Sequence, residues 1–166
     1  MNPVKHENIY NVLFNELSQI GTGGFGTVFK ARHKFDDEIY AVKRIEIMDI
    51  SDEHQAKMCN ELKSLVKVRS EYVVQYYNSW SDGTHLYIQM EYCSQSLRNI
   101  LQIKPQVFGR QLGDPMNAYE YFISCEIFRE LLQCVQYLHE LSPQIIHRDL
   151  KPENILISYD PKQSIR

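Results

Sequence analysis

An α+β chain in two parts, a five-stranded antiparallel sheet with one helix and then a helical half, is predicted by three observations on the 166-residue sequence. Short runs of strand-like patterning fill residues 14–92, interrupted by one stretch of helical spacing. After Cys93 the apolar period becomes that of helices. A glycine cluster and an Asp-Gly pair separate runs where hairpins need them.

The elements follow in order. Residues 1–13 mix Asn2, Lys5, His6, Glu7 and Asn11 with apolar residues, a leader without the apolar run of a signal peptide. Residues 14–20 and 27–33 flank Gly21, Gly23 and Gly26 and read as two strands joined by a flexible turn. A third strand, 38–45, follows the turn formers Asp36 and Asp37. Ser51 is a good N-cap, Asp52 and Glu53 suit the positive end of a helix dipole, and Met58, Leu62, Leu65 and Val66 recur at helical spacing, which predicts a helix over 51–67. Strands at 73–80 and 84–92 meet at Asp82-Gly83. Leu97, Ile100 and Leu101 then predict a short helix stopping before Pro105, and 105–115 reads as a loop. A long helix is predicted over 118–140, with Phe122, Cys125, Phe128, Leu132, Val135 and Leu138 as its apolar stripe and Pro143 beyond its end. The boundaries are a leader at 1–13, a small part at 14–92 and a partial large part at 93–166.

Composition narrows the class. With 43% hydrophobic and 23% charged residues the chain is ordinary for a globular domain, and a net charge of −3 gives no electrostatic reason to expect nucleic acid or an anionic membrane as partner. Cys59, Cys93, Cys125 and Cys134 form neither a zinc-site spacing nor a disulfide scaffold, so reduced thiols and a cytoplasmic location are expected. No run is apolar and long enough to span a bilayer.

Four features carry chemistry. Gly21, Gly23 and Gly26 form G-x-G-x-x-G in the span Ile20, Gly21, Thr22, Gly23, Gly24, Phe25, Gly26, with Val28 following, and such glycines let backbone amides approach anionic oxygens. A dinucleotide-binding turn would lead into a helix, whereas a strand follows here. In the third strand, period two puts Ala41 and Lys43 on one face, a small residue beside a cation. Glu61 lies on the helix after it, placed to reach Lys43 as an ion pair. His147-Arg148-Asp149-Leu150-Lys151-Pro152-Glu153-Asn154 fits H-R-D-L-x-x-x-N, which chance places in roughly one such chain in a thousand. Phosphoryl transfer needs a carboxylate to take the nucleophile's proton and a neutral oxygen donor for magnesium, roles that Asp149 and Asn154 can fill. Lys151 can neutralise charge on the phosphate.

These four features, in this order, resemble the protein kinase superfamily from about Phe14 onward. The resemblance implies a bilobal protein-kinase-like fold with the large lobe cut after the catalytic loop, ATP and Mg2+ as cofactors and a protein as substrate. It implies that the glycine loop covers the nucleotide, that Lys43 contacts its phosphates with Glu61 positioning Lys43, that Asp149 is the base and that Asn154 is a magnesium ligand. It makes Met90 the gatekeeper of the adenine pocket and Glu91, Tyr92 and Cys93 the hinge. Lys151 two residues after the base resembles serine/threonine kinases. The runs at 20–31, 77–80 and 86–93 are similar to kinases of the alpha subunit of translation initiation factor 2, which implies that subunit as partner and substrate, translation control under stress, and pairing of two small lobes as a homodimer. Kinases resembling the mitotic-entry tyrosine kinases share the tryptophan of the fourth strand and are the rival branch.

The pattern departs from the family in one place: no D-F-G and no A-P-E occurs in these residues. A fragment is therefore expected, deficient in transfer and poorly soluble. The alternative role is a pseudokinase-like module for nucleotide binding or docking.

Overall fold

The computed structural model describes residues 8–23, 26–48, 70, 72–111 and 113–158. They fall into two compact units that meet in sequence between Tyr92 and Cys93. The helix expected over 51–67, with Glu61, lies outside the described residues, as do Gly24, Phe25 and Cys59.

The first unit opens with a one-turn helix, α1 (Ile9–Leu13), capped by the Asn8 side chain, which accepts from the Tyr10 amide. Five strands follow: β1 (Phe14–Gly23), β2 (Gly26–His33), β3 (Ile39–Glu46), β4 (Tyr76–Ser81) and β5 (His85–Glu91). They form one antiparallel sheet in the order β1-β2-β3-β5-β4. The first two strands run further toward each other than the sequence predicts, so that only Gly24 and Phe25 separate them. The β4–β5 turn is built by Asp82, whose carboxylate accepts from the backbone amides of Thr84 and His85.

One face of this sheet carries the core. Ala31, Val42 and Tyr87 are buried on it with Phe14 and with Tyr10, which precedes the expected start of the small part at residue 14. Four rings close a stacked cycle: Tyr10 on Phe14, Phe14 on Trp80, Trp80 on Tyr87 and Tyr87 on Tyr10, with centroids 5.1 to 5.8 Å apart. Stacked pairs of this kind contribute about 0.5–1.5 kcal/mol each beyond the area they bury. The two tyrosine hydroxyls of the cycle are satisfied, Tyr87 donating to Asp82 at 3.0 Å and Tyr10 to Glu16 at 3.1 Å, whereas the buried Trp80 Nε1 has no hydrogen-bond partner among the described residues. Burial pushes the Tyr10 hydroxyl well above its ordinary pKa, with Glu16 adding to the rise.

The second unit begins with β6 (Gln95–Ser96), which pairs with β7 (Leu156–Ile157). Between them lie α2 (Leu97–Val107), α3 (Ala118–Glu140) and a 3-10 turn at Pro152–Asn154. α2 corrects the prediction of a stop before Pro105: it runs through Pro105 to Val107. Pro105 has no N–H to donate to the Leu101 carbonyl, and the helix runs only two residues beyond it. The ladder continues past it through Phe108 N donating to Lys104 O at 3.1 Å.

α3 has the predicted bounds, and most of the apolar stripe read along it stands exposed. Phe122, Phe128 and Leu132 are 64%, 59% and 53% exposed, and Cys125 is exposed; of the predicted six only Leu138 is buried. The covered face instead follows Glu120, Ser124, Ile127, Leu131, Cys134 and Leu138, again at helical spacing. Its fully buried residue is an acid. Arg110 grips Glu120 with Nε at 2.7 Å and Nη2 at 2.6 Å, and Lys104 of α2 lies 3.4 Å from the same carboxylate and donates to Ser124 Oγ. The Arg110 guanidinium holds the Glu120 carboxyl below the usual carboxylate range, with Lys104 adding to the effect. Hydrophobicity alone could not indicate a face whose most buried residue is an ion-paired carboxylate.

Candidate active site

The register of the first unit gathers the predicted nucleotide residues on one face of the sheet. Val28 pairs with Lys43 and Lys30 with Ala41 across β2–β3, while Lys43 pairs with Ile88 and Ala41 with Met90 across β3–β5. Directly paired residues share a face, as do residues two apart. Val28, Ala41, Lys43, Ile88 and Met90 thus share the face opposite the aromatic cycle. Ala41 and Ile88 are buried there, and Val28, Lys43 and Met90 are partly covered. Gly21 pairs with Val28 and joins the same row from β1.

The glycine loop has two kinds of position. Gly26 has a φ of +108°, and a Cβ built on it would fall within 3.0 Å of the Arg44 carbonyl, so the close approach of the start of β2 to β3 requires glycine there. Among the described residues, Gly23 has nothing within 4 Å of such a Cβ. Ile20 occupies a register shift between Gln19 and Gly21 and is 46% exposed, with Thr22 exposed beside it. Glu91 is fixed to β4's approach, its amide donating to Gln75 O and its carboxylate accepting from Gln75 N. Lys30 holds Tyr92, its Nζ 4.7 Å from the ring centroid.

The second unit assembles the other predicted residues. Arg148 has a φ of +64°, a conformation that non-glycine residues adopt at a cost and that concentrates at functional loops. Asp149 follows it, with an exposed carboxylate held by two neighbours. Lys151 Nζ lies 3.0 Å from Asp149 Oδ2, and Asn154 Nδ2 donates to the same oxygen at 2.8 Å and to the Asp149 carbonyl at 2.9 Å. The hydrogen bond from Lys151, then that from Asn154, holds the Asp149 carboxyl below its ordinary range. It is therefore ionised at neutral pH, as a proton acceptor must be. Asn154 comes into reach because the Pro152–Asn154 turn closes with Asn154 N donating to Lys151 O at 2.9 Å.

Asn154 also fits a magnesium ion. Its amide nitrogen is committed to Asp149, which leaves the amide oxygen, a hard neutral donor, without a hydrogen bond among the described residues. Cys93 begins the second unit and is partly covered. Two further features of the second unit carry no local sequence signal: the Lys104–Glu120–Arg110 cluster, and a pair between Arg98 and Glu153 beside the loop, at 3.4 Å. Both depend on partners ten or more residues apart, for which local spacing carries no signal. Among the described residues no helix is long and apolar enough to cross a membrane.

Residues 14–166 match the family model for the protein kinase domain. Curated relatives include Wee1-like protein kinase 1-A of Xenopus laevis, 33% identical over 94% of this chain and 26% of its own length. The interferon-induced, double-stranded RNA-activated protein kinase of Mus musculus is 31% identical over 89% of this chain and 28% of its own length. Serine/threonine-protein kinase pakG of Dictyostelium discoideum is 37% identical over 85% of this chain and 10% of its own length. The chain thus spans at most 28% of the length of these three relatives.

Proposed function

The chain belongs to the protein kinase domain family, and we propose that it carries the nucleotide-binding and catalytic-loop parts of an ATP-dependent kinase acting on serine or threonine in proteins. The observation that carries this reading is the Asp149 carboxylate, held between Lys151 and Asn154 in a strained, exposed loop. In that role Asp149 accepts the proton of the substrate hydroxyl, Lys151 offsets charge beside it and Asn154 offers its amide oxygen to a metal. On the sheet, Lys43 would meet the phosphates and Ala41, Val28 and Met90 would flank the base, with Glu61 orienting Lys43. Bound ATP supplies the phosphoryl group, and magnesium neutralises charge on it.

The finer reading is a kinase of the alpha subunit of translation initiation factor 2, working in the cytoplasm in stress control of translation and pairing through its small lobe. Its support is the motif likeness at 20–31, 77–80 and 86–93. Incubating the complete protein with that subunit, ATP and magnesium, then mapping phosphosites, tests it. Modification of a serine on the subunit is expected. Phosphate on unrelated proteins alone would refute the substrate, and phosphate on tyrosine alone would refute the serine/threonine reading.

A further inference from the structure

One ion pair beside the catalytic loop has no part in the chemistry above. β6 pairs with β7, and Leu97 N donates to Ile155 O at 2.7 Å, so backbone bonds fix the first turn of α2 against the end of the loop. Arg98, the second residue of α2, is thereby held opposite the Pro152–Asn154 turn, its Nε 3.4 Å from Glu153 Oε1. The two side chains are 55% and 49% exposed. A pair that open to water contributes little to folding stability, so folding alone does not account for it.

Its position relative to Asp149 does. Glu153 is four residues from the base and adjacent to Asn154, whose amide holds the base. Four residues reach at most about 13 Å, and the turn shortens that span, so a peptide whose hydroxyl meets Asp149 passes within about a Debye length of Glu153 and Arg98. A bare Glu153 would attract a basic flanking residue. Paired, it does not, because the Arg98 guanidinium cancels its charge. The remaining nitrogens of Arg98 have no partner among the described residues and stay available to a carboxylate.

We propose that Arg98 is a specificity-determining residue: it neutralises Glu153 and turns this side of the loop toward peptides with an acidic residue beside the acceptor. The inference rests on the kinase reading and deepens it.

The test uses the complete protein and two acceptor peptides that differ only in a flanking Glu or Arg, with kcat/KM measured for each. Wild type should favour the Glu peptide. Arg98→Ala should move the ratio toward the Arg peptide by about fivefold, the scale of an exposed charge interaction, and Arg98→Lys, which keeps the charge without the guanidinium fork, should move it less. Glu153→Gln, an independent arm should Arg98→Ala not fold, should move the ratio further toward the Glu peptide. Raised salt should flatten all of these differences. Variants that phosphorylate both peptides with the wild-type ratio overturn the role of Arg98 and leave the kinase reading intact. Wild-type protein that transfers phosphate to neither peptide nor any protein overturns that reading, and this proposal with it.

Discussion

The two units position their functional side chains by opposite means. In the first, Lys43 stands on a sheet whose other face is fixed by an aromatic cycle of Tyr10, Phe14, Trp80 and Tyr87. In the second, Asp149 is exposed and is placed by hydrogen bonds and charge from Lys151 and Asn154 on its carboxylate. The aromatic and aliphatic side chains Tyr121, Phe122, Phe128 and Leu132 of that helix stay largely exposed. The difference separates the costs of mutation. Damage to the first unit's core should appear as lost stability, while damage to the loop of the second should appear as lost rate.

The largest effect should come from the cycle. Tyr87→Ala removes a residue that is 1% exposed, two stacked partners and the hydroxyl that donates to Asp82, so it should destabilise the protein by about 3–5 kcal/mol in urea unfolding. A loss under about 1 kcal/mol would mean that the cycle does not organise the sheet.

Asn154→Ala should behave in the opposite way. The loop is exposed, so unfolding should be nearly unchanged, within about 0.5 kcal/mol. Transfer by the complete protein should fall by about a hundredfold or more, because the base loses its amide partner and the metal an oxygen. Equal losses of rate and stability would erase the contrast between the units.

The smallest effect is one of pH. Burial alone would raise the pKa of Asp82, but hydrogen bonds from the His85 and Thr84 amides and from the Thr84 and Tyr87 hydroxyls outweigh it and bring the value down to about 2. A folded pKa below the unfolded one stabilises above the unfolded value, near 4, and that contribution is lost as pH falls from about 4 to about 2. The loss should be about 1–2 kcal/mol, and Asp82→Asn should remove that part of the acid slope. An unchanged slope in the variant would show that the turn carboxylate is not the group responsible.

What the sequence made legible follows the same division. The five strands and their hairpins could be read because alternation and turn residues are local signals, and the shared face of Ala41 and Lys43 follows from period two. The covered face of the 118–140 helix could not, because Glu120 is buried only by virtue of Arg110 and Lys104, ten and sixteen residues earlier. Apolar spacing marked Phe122, Phe128 and Leu132, which stand exposed. Tyr10 was hidden for a similar reason, since its stacking partner Tyr87 lies at the far end of the unit. The loop motif showed which residues carry charge, but not that Arg98 sits against Glu153.

The most direct test measures phosphate transfer from ATP to a protein serine or threonine by the complete wild-type protein, by Lys43→Met and by Asp149→Asn, with unfolding followed in parallel. Transfer by wild type should be lost in both variants by a hundredfold or more, on the order of what an electrostatic contact or a general base contributes, while both unfold as wild type does. Undiminished transfer in either folded variant would contradict the assignment of these two residues to the reaction.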